Sequence, residues 1–270
     1  MIGLYNLEPY TNIAIEKLRM YYGDEAEDYL PLKHGKYEKI YCSSIFDYTD
    51  KSYVTDDMIC GGTGFDLTTV LSPEIDAMKP KINIGFTTRG CIRHCPFCVV
   101  PEKEGKIRAV GDIYDFWDRK SKKLILLDNN ILAIPQHFRM ICNQIRREQL
   151  QVDFNQGLDF RLMDRDDIRL LQTINMPVWR FAWDNPHDIK IVLRFLRLLE
   201  EENIKATRWY VLIGFDTTSE EDHMRVMILR EHGHDPFAMP YNKRNIYQRR
   251  FARWVNHKAI FKSVAWEDYK

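Results

Sequence analysis

From Ile82 onward, short apolar runs alternate with longer amphipathic stretches, an order that predicts βα units feeding a parallel sheet. The predicted strands are Ile82 to Thr87, Lys123 to Leu127, Gln151 to Phe154, Pro177 to Trp183, Arg208 to Ile213 and Pro236 to Tyr241. Helical patterns lie between them near Ile113 to Lys120, Gln136 to Glu148, Arg165 to Thr173, His187 to Glu202 and Glu220 to His232. Leu193, Leu196 and Leu199 with Phe195 show the i, i+3, i+4 spacing of a helix that packs on a sheet. Ahead of these units, Ile2 to Tyr5 reads as a strand, Ala14, Leu18 and Tyr21 mark a helix, and Lys39 to Cys42 and Met58 to Cys60 read as further strands. The last of these runs into Gly61, Gly62 and Gly64, so residues 1–72 are expected to form a small doubly wound α/β domain. Pro73 and Pro80 bracket a polar connection from Ser72 to Lys81, the expected domain boundary. Residues 81–242 then form the main α/β domain and 243–270 a helical extension.

Composition narrows the class. The 270 residues are 45% hydrophobic, enough for a sizeable core, and Lys plus Arg equal Asp plus Glu at 39 each. No global field of one sign predicts nucleic-acid or membrane binding, so such a partner needs a local patch. No window approaches the roughly 18 consecutive apolar residues of a membrane span, and the N-terminus lacks the basic-then-apolar pattern of a signal peptide. The expectation is a soluble, cytoplasmic protein in a reducing compartment, where six sparse cysteines do not form a disulfide framework.

The densest chemistry is Cys91-Ile92-Arg93-His94-Cys95-Pro96-Phe97-Cys98, three thiols in one tight loop directly after the first strand of the main domain. In β/α barrels the chemistry sits in the loops that leave the C-terminal ends of the strands, which is where this loop falls. Thiolates are the usual ligands of iron–sulfur clusters, and three of them leave one iron of a four-iron cluster open. A zinc knuckle is the competing reading, but it requires a fourth ligand. His94 adjoins Cys95 and has difficulty reaching the same ion, and Cys142 falls inside a predicted helix.

Cys-x3-Cys-x2-Cys with Phe97 before the third cysteine resembles the signature of the radical S-adenosylmethionine (SAM) superfamily. The resemblance implies a partial (β/α)6 barrel open on one side, and a 4Fe-4S cluster on Cys91, Cys95 and Cys98. It also implies SAM bound through its amino and carboxylate groups at the open iron. An electron from the cluster then cleaves SAM to methionine and a 5′-deoxyadenosyl radical, so the resemblance implies an electron donor such as flavodoxin or ferredoxin. The substrate is unknown, and RNA, protein and small molecules stay open. Weaker motifs follow the strand ends. Asp128 and Asn129 resemble the family segment that contacts the SAM amino group, although the usual glycine pair and glutamate are absent. Arg161, in Asn155 to Arg161, looks like the charged residue near the SAM carboxylate or the substrate. Asp184 stands where relatives place a group against the ribose hydroxyls, and Gly214, before Phe215, resembles the segment packing on adenine. Asp128, Asn129, Asp184 and Asn185 are also residue types that cap helices and turns after strands, and Arg161 suits a surface ion pair.

The first 72 residues look like a shortened form of the domain that precedes the barrel in cobalamin-binding radical SAM proteins and in methylthiotransferases. The Asp-x-His-x-x-Gly cobalamin signature is absent, and only Cys42 and Cys60 stand where methylthiotransferases carry a second cysteine triplet. These two read as buried free thiols or as a redox pair. At the other end, Lys243, Arg244, Arg249, Arg250, Arg253, Lys258 and Lys262 mix with aromatics as a nucleic-acid surface would. A non-catalytic zinc module that grips nucleic acid through this tail is therefore the alternative function. Tyr247, Phe251, Trp254 and Val255 nevertheless share one helical face, the pattern of a helix closing the core with its basic side in solvent. His232 and His234 flank Gly233 at a helix end, where positive charge is favourable.

Overall fold

Alternation of side chains across a strand puts every second residue on one face, and the strands obey it. In the computed structural model, which describes residues 1–269, Trp209, Val211 and Ile213 are buried while Arg208, Tyr210 and Leu212 between them are half-buried. The N-terminal domain is a four-stranded parallel sheet of β1 (Ile2–Asn6), β2 (Ala26–Asp28), β3 (Lys39–Ser43) and β4 (Ile59–Gly61), in the order β2-β1-β3-β4. Its helix α1 (Ile13–Tyr22) starts at Asn12, whose side chain accepts from the amides of Ala14 and Ile15. Ile15 and Leu18 of α1 pack on Ile2 and Leu4 of β1. The expectation of a parallel α/β unit holds, with β2 an edge strand too short and polar to show in the pattern. Both α1 and the turn after Ser72 pack in the core on β1, while Tyr29, Tyr37, Val54 and Phe65 pack with Ile40 and Cys42 of β3. The connection after Ser72 carries a helical turn, α2 (Pro73–Asp76), whose Ile75 is buried in this same core.

The main domain contains six parallel strands in two three-stranded sheets. β5 (Ile84–Gly85), β8 (Lys123–Leu126) and β9 (Gln151–Phe154) form one; β10 (Arg180–Ala182), β11 (Arg208–Ile213) and β12 (Asp235–Pro240) form the other. Leu158 N donates to Arg180 O at 2.8 Å and Gln151 pairs with Asn175, which joins the second sheet to the first. Helices α4 (Pro135–Arg147), α5 (Arg165–Gln172), α6 (Ile189–Glu201) and α7 (Ser219–Glu231) bury their apolar stripes with the inward residues of both sheets in one continuous core. The chain ends in α8 (Ile246–Asn256) and α9 (Lys258–Ser263). Phe251, Trp254, Val255 and Phe261 are buried while Arg249, Arg250 and Arg253 are exposed, so the aromatics of the tail are core.

Two expectations are corrected. Ile113 to Lys120 is not a helix but a single 3-10 turn over Ile113–Asp115, started by a reciprocal Asp112–Asp115 cap. Ile113, Phe116 and Trp117 are buried as helical spacing demands, but Arg119 takes a positive φ of 62° and the chain leaves into a loop. His234 is not a charged helix-end residue. Its ring is 7% exposed and its Nδ1 bonds the Thr207 hydroxyl at 2.9 Å. Burial, with some help from nearby His232, pushes its pKa down to about 4.

That depression has a measurable consequence. The unfolded chain takes up this proton near pH 6.5 and the folded protein only near 4, so stability is intact above 6.5 and falls as pH drops through that window. The loss for this one group is about 3 kcal/mol. Urea unfolding from pH 7 to 4 is expected to show this slope, and His234→Gln to lack it.

Candidate metal and cofactor site

The cysteine loop begins where β5 ends. Thr87 and Thr88 lead from the strand into it, and both are held from below by Asp128 at the end of β8. The Asp128 carboxylate accepts from the Thr87 amide at 3.1 Å, the Thr87 hydroxyl at 2.8 Å, the Thr88 hydroxyl at 2.6 Å and the Thr88 amide. Asp128 is 4% exposed and acts as a clamp under the loop. Asp128→Ala would leave those buried donors without an acceptor, and is expected to cost about 2 kcal/mol in urea unfolding and to loosen the loop to proteolysis.

Thr88 and Arg89 (β6) then form a two-residue antiparallel ladder with Arg108 and Ala109 (β7), which brings the far end of the loop back to its start. Gly90, at φ 84°, is needed at the crossing, since a Cβ there would stand 2.4 Å from the Lys106 carbonyl oxygen. A short helix α3 (Val100–Glu104) follows Cys98, and Glu104 at its end accepts from Gly90 N at 2.8 Å and from Asn129 Nδ2 at 2.9 Å. Asn129 thus ties β8 to the loop. Cys91, Cys95 and Cys98 are half-buried, and Cys98 N donates to Cys95 O at 2.9 Å across the turn. His94 is exposed, and Cys142 lies in the core of α4 with no exposure.

Loops from neighbouring strand ends converge on the cysteines. Asp159, after β9, accepts from Arg93 Nε at 2.9 Å, Arg161 Nε at 2.7 Å and Asn130 Nδ2 at 3.1 Å. Burial pushes the Asp159 carboxyl up, but the bonds and charges of Arg161 and Arg93 outweigh it and hold the pKa below the ordinary value. Arg161 also reaches Asp188 at 3.4 Å, and its charge acts on the Cys95 thiol. Asn130 Nδ2 stands 3.6 Å from Cys91 Sγ, and Arg93 N donates to the same sulfur at 3.3 Å. Asp184, after β10, accepts from Leu212 N at 3.1 Å, and burial raises its pKa despite Arg225 and Arg161. Burial likewise raises the Cys95 and Cys98 thiols, with each thiol's neighbours and Asp184 adding to the shift. A cation among the sulfurs would reverse that penalty.

Phe97 meets Phe215 edge-on at 5.3 Å, and Phe215 meets Tyr241 at 4.8 Å, so an aromatic row links the cysteine loop to the ends of β11 and β12. Gly214, at φ 73°, admits the Gln248 side chain of α8 where a Cβ would stand 1.9 Å from its Nε2. Of the residues singled out from sequence, Cys91, Cys95, Cys98, Phe97, Arg161, Asp184 and Gly214 thus stand on loops at one end of the strands, with Asp128 and Asn129 supporting the loop from β8. Asn185 is a turn cap, accepting from His187 N at 3.0 Å. Arg93, Glu104, Asn130 and Asp159 were not singled out, although Arg93 lies in the cysteine run, Asn130 adjoins Asn129 and Asp159 lies between Asn155 and Arg161.

Asn130 Oδ1 is buried and lacks a hydrogen-bond partner, an acceptor beside Cys91 awaiting a donor. Among the described residues, no three His, Cys, Asp or Glu side chains gather closely enough to hold a single metal ion. In Cys42 and Cys60 the sequence pair proves to be in register across β3 and β4, with the Cys42 pKa pushed up to about 12, first by burial and then by Cys60. Such a thiol is protonated and unreactive at neutral pH. No helix among the described residues is long and apolar enough to cross a membrane. No protein-family model matches this chain, and no curated protein matches it either.

Proposed function

We propose that this chain is a radical SAM enzyme, its six parallel strands curving as an open (β/α)6 barrel with the cysteine loop at the mouth. The observation that carries the reading is the cysteine loop itself: three half-buried thiols after the first barrel strand, ringed by polar groups from the ends of β8, β9 and β10. Cys91, Cys95 and Cys98 would hold a 4Fe-4S cluster. The residues fit it, because amide donors already point at Cys91 Sγ and a cluster's thiolates each bind a separate iron, so they stand further apart than the ligands of one ion. Once bound, the cluster would supply the electron that cleaves SAM into methionine and a 5′-deoxyadenosyl radical, drawn from a donor such as flavodoxin or ferredoxin.

The chain's own residues would do the positioning. Asn130 Oδ1 offers an acceptor to the SAM amino group. Arg161, fixed through Nε by Asp159, keeps further N–H donors for a carboxylate. Asp184 has a free oxygen for hydroxyls, and Phe97, Phe215 and Tyr241 form an apolar wall that excludes water. The test is anaerobic reconstitution with iron and sulfide, followed by ultraviolet–visible and electron paramagnetic resonance spectra. A reduced-cluster signal that shifts on adding SAM is the expected result. A colourless protein with one zinc per chain would overturn it in favour of the nucleic-acid-binding zinc module.

A further inference from the structure

The face of the main sheets that carries no helices is not simply solvated. Asp153 of β9 and Arg180 of β10 point to it, because their neighbours Val152, Phe154 and Phe181 are buried in the core on the other side. They form a side-on pair, Arg180 Nε to Asp153 Oδ1 at 2.7 Å and Nη2 to Oδ2 at 2.6 Å. The pair spans the junction of the two sheets. Two parallel bonds fix the groups against each other, and they do not exhaust the carboxylate. Each Asp153 oxygen spends one acceptor site on Arg180 and keeps another, while the guanidinium also lies against the Tyr210 hydroxyl. The Asp153 side chain is 32% exposed and that of Arg180 only 12%, so the acceptor faces outward on a buried guanidinium.

The walls are aromatic and apolar. Tyr210, its hydroxyl fixed on Asn155 O at 3.0 Å, meets Phe237 edge-on at 6.0 Å, and Phe237 and Met239 are 39% and 42% exposed on the same face. A side-on acceptor and donor set beside an open aromatic ring matches a flat ring carrying an N–H next to a carbonyl or ring-nitrogen acceptor, the edge that every pairing nucleobase presents. In the segment that follows β12 and on α8, Arg244 and Arg249 are exposed and have no ion-pair partner among the described residues, which suits the phosphate of a nucleotide over an uncharged amide.

We propose that the Asp153–Arg180 pair, walled by Tyr210 and Phe237, is the specificity site for a nucleobase of a nucleotide substrate. The substrate assignment rests on the radical SAM reading, but the binding does not. The test titrates uridine 5′-monophosphate, ribose 5-phosphate and N-acetylglycine methylamide into the reconstituted protein with saturating SAM, so that the SAM site is occupied, and follows binding by calorimetry. Uridine 5′-monophosphate is expected to bind saturably and ribose 5-phosphate at least tenfold more weakly. Asp153→Asn, which replaces an acceptor by an amide, is expected to weaken the nucleotide at least tenfold. Phe237→Ala, a change at an exposed ring that leaves the core intact, is expected to weaken it as well. Equal binding of ribose 5-phosphate, preference for the peptide amide, absence of nucleotide binding or indifference to both variants would overturn the proposal. Spectra of the same samples separate the two readings: a SAM-perturbed cluster without nucleotide binding sinks only the specificity site, and nucleotide binding without a cluster sinks only the radical chemistry.

Discussion

Cys95→Ala is expected to bring 5′-deoxyadenosine formation below detection while changing the unfolding free energy by less than about 1 kcal/mol, because the Cys95 thiol is outside the core. The loop that carries it is held by groups the substitution leaves alone: Asp128 under Thr87 and Thr88, Glu104 on Gly90 and Asn129, and the Cys91 amide on the Gly105 carbonyl at 3.3 Å. The thiol itself contributes a ligand and little packing. Cys142→Ala is the opposite case. That thiol has no exposure, lies among Phe138, Ile141 and Ile145, and is raised to about 12 by burial, so it is a small apolar group in α4. Its removal is expected to cost about 1 kcal/mol of stability and to leave iron content and SAM cleavage unchanged. Chromatography of the reaction products and urea titration of both variants check the pair. Cleavage retained by folded Cys95→Ala would refute its role as a ligand.

The reasons for the legible and the illegible parts are local. β11 runs over Arg208–Ile213 as the alternation predicts, and α4, α5, α6 and α7 lie within a residue or two of their apolar periodicity, because one buried face per element imprints a period on the chain. The segment after Asp112 shows where period misleads. Ile113, Phe116 and Trp117 have helical spacing, yet one 3-10 turn and a loop bury the same three side chains. The β6–β7 ladder has two residues per strand, too few to leave any period. At the site, the cysteines and the strand-end polar runs are visible because spacing and position suffice. The ties through Asp159 are not, since Arg93 lies 66 residues away and Asn130 lies 29 away, and only the closure of neighbouring loops brings them together. The Asp153–Arg180 pair is hidden for the same reason, each residue looking alone like an ordinary charge on a strand.

Asp222 and Arg225 carry this furthest, and give the largest stability effect expected of any single change. At spacing i, i+3 on α7 they read as a surface ion pair, worth little. Both are 0% exposed in the folded chain. Arg225 uses all five of its donors: Nη1 on Trp183 O at 2.8 Å and Asp184 O at 3.0 Å, Nη2 on Leu212 O at 2.8 Å and Asp222 Oδ1 at 2.6 Å, and Nε on Glu221 O at 3.3 Å. It therefore pins the ends of β10 and β11 to α7, and fixes the backbone that aims Asp184 at the mouth. Burial lowers the Arg225 pKa, but from so high a starting value that the group stays charged. Arg225→Met is expected to cost about 3 to 5 kcal/mol, because a buried carboxylate loses its counter-charge and four carbonyls lose a donor. The double variant Asp222→Asn/Arg225→Met separates these causes. Removing the stranded charge should recover part of the loss, and the remainder measures the carbonyls of Trp183, Asp184, Leu212 and Glu221. Urea unfolding of the single and double variants gives both terms. Full recovery would mean that Arg225 serves only to neutralise Asp222, and a single-variant loss below about 1 kcal/mol would mean that the site does not depend on it.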